Sequence, residues 1–285
     1  MELPASYVMT FGALEALGLL LLLLIGQRIL SPKHTVAQDL ARGNTARGLL
    51  QVGQALGVFL IAGSAVTGAA TGASLTRDVL WVTVFGLASL ALLIITGRLG
   101  VGALLRASLP AEIERGNAAA GLAAGAHYVA TGIITSKAVA GSDLRGLGLS
   151  FAFFVVAELT LNLVVIAFRA LTAYDDAEQI QSENFAAALS YAGLTIAVAL
   201  IISRALEGDF QGWSVSLLGY GKALLFVLAL YPVRQILVQM AFVGGGFSFH
   251  KGSLDAAIAE RRSAGTAALE AASYIATALL VSRLG

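Results

Sequence analysis

Two carboxylates stand deep inside apolar runs. Glu15 and Glu158 lie roughly eight to eleven residues into their runs and 143 positions apart. Near a bilayer centre an ionised carboxylate costs about 2.5–3.5 kcal/mol even on the lenient insertion scale, unless it is paired, hydrated or protonated. A carboxyl that exchanges a proton there suits proton coupling, and one that stays ionised suits cation binding. The structural alternative is a hydrogen bond to a neighbouring helix or a pair with a buried cation. Lys222, the one cation well inside an apolar run, is expected to neutralise an acid, with Glu158 or Glu270 as its partner.

A second set is mostly uncharged. Gln54 and His127 each follow an Asn (Asn44, Asn117) by ten residues, and Ser273 follows Ser263 by the same ten. About three helical turns separate the members of each pair, so the three polar groups share one depth and one face. Gln51, Tyr191 and Glu270 stand seven residues after the same origins, with Tyr274 beside Ser273. A polar stripe turned to a shared interior is predicted. It either fixes packing through interhelical hydrogen bonds, about 0.6 kcal/mol each, or lines a hydrated path.

Other chemistries lack their residues. There is no Cys, which removes disulfides, thiolate zinc sites and a Cys nucleophile. His34, His127 and His250 are far apart and lack the i, i+4 spacing of a metal-binding helix; His34 and His250 read as solvated link residues. Gly244-Gly245-Gly246 runs into Phe-Ser-Phe, not the Lys-Ser/Thr of a phosphate loop. The expectation is a protein that is not an enzyme and carries no cofactor.

Stepping outward, the polar residues are indexed by a recurring helix start. Glu112-Ile113-Glu114-Arg115-Gly116-Asn117-Ala118-Ala119-Ala120 has relatives at Asp39–Ala46, at Gln179–Leu189, and in an eroded form at Glu260–Ala264, where Ser263 takes the Asn place. Asn44, Asn117 and Asn184 are expected to be N-caps, accepting from unpaired backbone N–H groups. Adjacent acids suit the positive end of the helix dipole, and the Gly permits a tight turn.

Composition says where these helices live. Of 285 residues 58% are hydrophobic and only 12% charged, about half the charge of a soluble domain, and mean hydropathy is +0.83. Apolar segments fall at about 8–30, 43–69, 79–99, 117–137, 147–169, 184–204, 214–240 and 264–283, each long enough to span a bilayer. The fold class is an all-α integral membrane protein of eight transmembrane helices. Twelve Arg and Lys follow odd-numbered spans and five follow even-numbered ones, which makes the former side cytoplasmic and both termini extracytoplasmic. The first run has no basic n-region before it and is expected to be a retained helix.

The unit is a helical hairpin repeated four times. Tyr128–Lys137 matches Tyr274–Arg283 at an offset of 146, and Asn44 and Asn184 lie 140 apart. Two parallel four-helix halves follow, 1–142 and 143–285. Segments 101–115 and 244–262 mix apolar and charged residues and read as interfacial.

The Arg-Gly-Asn-Ala-Ala-Ala start, the paired hairpins and the two halves resemble the YjfL-type bacterial inner-membrane proteins, the domain of unknown function 350, in two tandem copies. The second half departs from the pattern with Ser182-Glu183-Asn184 and Ser263. The resemblance implies a multi-pass protein of the bacterial inner membrane and brings no activity with it. The working expectation is a channel or transporter for a small ion or solute using the intramembrane carboxylates, since parallel repeats are a known transporter plan. The alternative is a non-transporting scaffold or stress sensor that recruits a cytoplasmic peripheral protein through its basic links, motivated by the lack of a helix pair broken by Pro or Gly. Expected partners are the lipid bilayer and, through small-residue faces, a second copy; a net charge of +1 gives no basis for nucleic acid.

Overall fold

The computed structural model describes residues 4–30, 35–208, 210–248 and 252–284. His34 and His250 lie outside them. The described residues form helices and no strand: α1 (Ala5–Leu30), α2 (Val36–Ala41), α3 (Thr45–Ala69), α4 (Leu75–Leu105), α5 (Leu109–Glu114) and α6 (Ala118–Ala138) in the first half. The second half holds α7 (Leu144–Arg169), α8 (Asp176–Gln181), α9 (Phe185–Ala205), α10 (Trp213–Phe242), α11 (Ser253–Ala259) and α12 (Ala264–Leu284). Eight of these are long and apolar enough to cross a membrane. The other four are short helices, one before each of α3, α6, α9 and α12.

Those four long helices stand side by side in chain order as one row, and α1, α4, α7 and α10 lie over them. α4 rests on α3 and α6, and α7 on α6 and α9. The row is held by absent side chains. Gly53 and Gly193 stand nine residues past their Asn; Gly125 and Ala271 stand eight past the cap of the next row helix. A Cβ on Gly53 would fall 2.2 Å from the Gly125 carbonyl oxygen, and one on Gly193 would fall 2.3 Å from Ala271 Cα. Between α6 and α9 the same two places are Ala126 and Ala192, both buried. In lipid no hydrophobic effect drives helices together, so close backbone approach supplies the van der Waals contact. The corresponding flank of α12, Gly265, Ala272 and Ala276, is exposed. The outer edge of α3 carries Val52 and Phe59 instead.

The repeated helix start is a double joint. Gly43, Gly116, Glu183 and Arg262, each just before the Asn or Ser, are all left-handed, with φ of +76°, +83°, +62° and +49°. Gly adopts this freely, whereas other L-residues pay roughly 1–2 kcal/mol. In the first three units the left-handed residue closes a Schellman turn on the short helix, with Asn44 N–H donating to the Asp39 carbonyl, Asn117 to Glu112 and Asn184 to Gln179. Asn Oδ1 then accepts from the next helix's first turn: from Arg47 N at 2.9 Å, from Ala120 N at 3.1 Å, and from Ala186 N at 3.1 Å. Its Nδ2 reaches sideways to the following unit, Asn44 to the Ile113 carbonyl at 2.8 Å, Asn117 to Ile180 at 2.8 Å and Asn184 to Ile258 at 2.9 Å. Ser263 caps α12 through Thr266 N and has no amide with which to make such a tie.

One span departs from regular geometry. α10 is α-helical to Leu224, 3₁₀ over Leu225–Ala229 and π over Val233–Phe242. Pro232, which has no N–H to give an i→i−4 bond, sits at the junction. The widened turns bring Arg234, Gln235, Val238 and Gln239 to the buried side. The interruption falls at the proline that the sequence places inside this span, and α10 has no broken counterpart among the described spans.

Candidate functional site

At the end of the row that carries the Asn caps, the second half holds a buried ionic network. Arg169, closing α7, donates to Asp176 Oδ2 at 2.7 Å, Ser190 Oγ at 3.0 Å and Tyr174 Oη at 2.8 Å. Ser190 Oγ donates to Glu270 Oε2 at 2.5 Å. Glu270 also accepts from Arg234 Nε at 2.8 Å and Tyr274 Oη at 2.9 Å. Arg234 Nη2 in turn reaches Asp255 Oδ1 at 2.5 Å, and Asp255 accepts from Ala173 N. Two guanidinium groups serve three carboxylates, and every carboxylate is multiply hydrogen-bonded, a condition under which buried ions are tolerated. In the short link after α7, burial pushes the Tyr174 hydroxyl up to about 12 against the pull of Arg169.

Glu270 therefore sits where the polar stripe was expected, but its cation is Arg234. Lys222 is exposed on α10 and makes no ion pair among the described residues. The expectation that Lys222 neutralises Glu158 or Glu270 is corrected: the π turns bring Arg234 inward, while Lys222 remains on the outer face, where a long stem can carry its ammonium toward the interface. Ser273 donates only to the Leu269 carbonyl of its own helix. Gln54 lies in an amide cluster, accepting from Gln27 Nε2 at 2.7 Å and Gln51 Nε2 at 3.0 Å.

Deeper in the bundle several buried polar atoms have no hydrogen-bond partner of ordinary geometry among the described residues. Glu158, on α7, is 6% exposed and Thr131, on α6, 0%; Thr131 approaches the carboxyl, yet among the described residues neither Glu158 oxygen nor Thr131 Oγ1 has a hydrogen-bond partner of ordinary geometry. One turn away on the same face of α6, His127 is 1% exposed; the Thr96 backbone approaches it, but among the described residues neither ring nitrogen has a hydrogen-bond partner of ordinary geometry. Its imidazole lies against α4 at Gly100, where a Cβ would fall 2.3 Å from Nε2. Buried polar groups left this way are rare and costly. Glu15 is not part of this cluster. It lies between α1 and α4, its Oε1 against Gly86 and unpartnered. Counted from the Arg that ends each helix, Glu15 is thirteen residues before Arg28 and Glu158 eleven before Arg169, a difference that turns them to different faces.

Two cavities flank the cluster along α7. One, of about 560 Å³ at the cap end, is lined by Gly100, Asn162, Arg169, Asp176 and Tyr191. The other, of about 630 Å³ at the opposite end, is lined by Ser150, Phe153, Lys137, Glu207 and Tyr220. Glu158 stands four residues from Asn162 and five from Phe153, so roughly 6–8 Å of helix separates it from each. Thr131 could have been found in the sequence by its i, i+4 spacing from His127; the orphaning of both could not. No group of His, Asp or Glu among the described residues is arranged to hold a metal.

Comparison with known proteins places this architecture. The family model described as Domain of Unknown Function (DUF350) matches twice, over residues 2–139 and 142–284. The chain belongs to this family. It is also 27% identical over 180 residues to a UPF0719 transmembrane protein of Aquifex aeolicus (strain VF5), a match covering 62% of this chain and 65% of that relative's length. No solved structure matches. The two family copies meet within the α6–α7 link, so the approach of Thr131 to Glu158 draws on both: α7 from one and α6 from the other.

Proposed function

We propose that this protein carries protons across a bacterial inner membrane, with the cap end cytoplasmic and Glu158 as the central relay. The observation that carries the reading is the Glu158 carboxyl, buried between the two halves beside Thr131 with no hydrogen-bond partner of ordinary geometry among the described residues. An ionised carboxylate so placed costs several kcal/mol, and a proton or cation removes that cost. The flanking cavities bring water-sized space to within about two turns of it from either end. The Thr131 hydroxyl lies beside the carboxyl, and His127 stands one helical turn from Thr131 on α6; hydroxyl and imidazole are groups a proton relay uses.

The test is proton flux into liposomes reporting an entrapped pH-sensitive dye, under an imposed potential. Wild-type protein should acidify or alkalinise the lumen faster than empty vesicles. Glu158→Gln should cut the protein-dependent rate at least about tenfold, the size of a lost general acid–base group, and Glu15→Gln should leave it nearly intact. Wild-type flux equal to empty vesicles, or an unchanged rate in Glu158→Gln, sinks the proposal and leaves the non-transporting scaffold as the better reading.

A further inference from the structure

The two halves carry the same arginines in opposite circumstances. Each overlying helix has an Arg toward the cap end: Arg28, Arg98, Arg169 and Arg234. Eight residues before the cap residue, the second half has Asp176 and Asp255, and these pair with Arg169 and Arg234. The first half has Val36 and Leu109 at the same two places. Arg28 and Arg98 accordingly make no ion pair among the described residues, and both line a cavity of about 590 Å³ together with Val36, Leu109, Gln54 and Tyr128. Asp39 is bonded to Arg47 at 2.9 Å, and Glu112 to Arg115 and Asn117, so neither acid is free to compensate them.

From this internal comparison we propose that the first-half cavity is an anion site, in which a phosphate group takes the place that Asp176 and Asp255 fill in the second half. Guanidinium groups bind phosphate oxygens in a forked, charge-assisted geometry, and the Gln amide and Tyr hydroxyl supply uncharged hydrogen-bonding groups. The volume exceeds that of a bare phosphate and accommodates a substituted one. The cavity adjoins the lipid-facing side of α1, where Ile25 and Ile29 are exposed, and a basic pocket between membrane helices is where an anionic head group binds. A phospholipid and a free phosphate present the same chemistry to these arginines.

Native mass spectrometry of the full chain separates the sources. The detergent-solubilised protein is titrated in parallel with phosphatidylglycerol, phosphatidylcholine and inorganic phosphate. Saturable retention of phosphatidylglycerol over phosphatidylcholine assigns a lipid head group; saturable binding of inorganic phosphate without lipid assigns a soluble phosphate. In either case R28Q/R98Q should weaken binding at least about tenfold, while R145Q, remote on the opposite end of the bundle, should not. A second variant guards against misfolding: V36D/L109D installs the second half's acids, and should abolish binding while raising the melting temperature. Anion binding of equal strength in wild type and both double variants overturns the site, as does binding of neither probe to the wild type.

Discussion

At the scale of single residues, the Asn of the first three helix starts does two jobs where Ser263 does one. Its carbonyl oxygen caps a helix, and its amide ties that helix to the next unit. Asn117→Ser keeps a capping hydroxyl and loses the ties to Ile180 and Glu112. It should cost about 1–3 kcal/mol, the penalty of leaving a buried acceptor without its donor. Ser263→Asn, at a position that already caps, should change stability by no more than about 0.5 kcal/mol. Denaturation in detergent reads both, and equal effects at the two sites would refute the distinction. The capping half of this role was legible, because Asn before an Ala-rich run is a strong local signal. The tie was not, because its acceptor lies more than sixty residues away. The arginines were legible only as topology markers: nothing local separates Arg28 from Arg169, and the difference lies in the Val or Asp eight residues before the cap.

For the helices, packing in the row depends on where small residues fall. Gly53 faces Gly125 with no space for a methyl group, whereas Gly63 on the same helix has nothing within 4 Å. Gly53→Ala should therefore destabilise by about 1–3 kcal/mol through overpacking. Gly63→Ala should stabilise by up to about 1 kcal/mol through helix propensity. Thermal unfolding of the two variants checks the pair, and a loss at both would refute the assignment of faces. Eight apolar runs of about twenty residues made the spans readable, and charge between them gave their ends. Which face of an Ala-rich helix meets a neighbour is not readable, since small residues occur all round it. The irregular turns of α10 were equally hidden, and with them the choice of Arg234 over Lys222.

Across the whole molecule, the two halves are fastened at both ends. At the cap end Arg106 pairs with Asp175 at 2.9 Å and Arg115 with Glu183. At the other, Lys137 of α6 pairs with Glu207 after α9 at 2.8 Å, and Arg204 shares that carboxylate. Hydrogen bonding from Lys137 holds the Glu207 carboxyl below the usual carboxylate range despite partial burial. A lowered folded-state pKa means the stabilisation is present above the unfolded value and fades as pH falls through the folded one. The melting temperature should thus hold steady near neutrality and drop in acid. Glu207→Gln should remove part of that acid dependence while costing little at pH 7, the pair being solvent-accessible. An identical acid limb in the variant would exclude Glu207 as a contributor.

Every Asn tie points to the hairpin that follows it, so the ribosome always delivers the donor before its acceptor. Asn44 is synthesised 69 residues before Ile113, and Asn117 is synthesised 63 residues before Ile180. A hairpin leaving the insertion machinery therefore meets a predecessor already bearing a bare amide and a flank of small residues shaped for it. Assembly in this order needs no search among distant segments, because each arrival is matched to the surface exposed just before it.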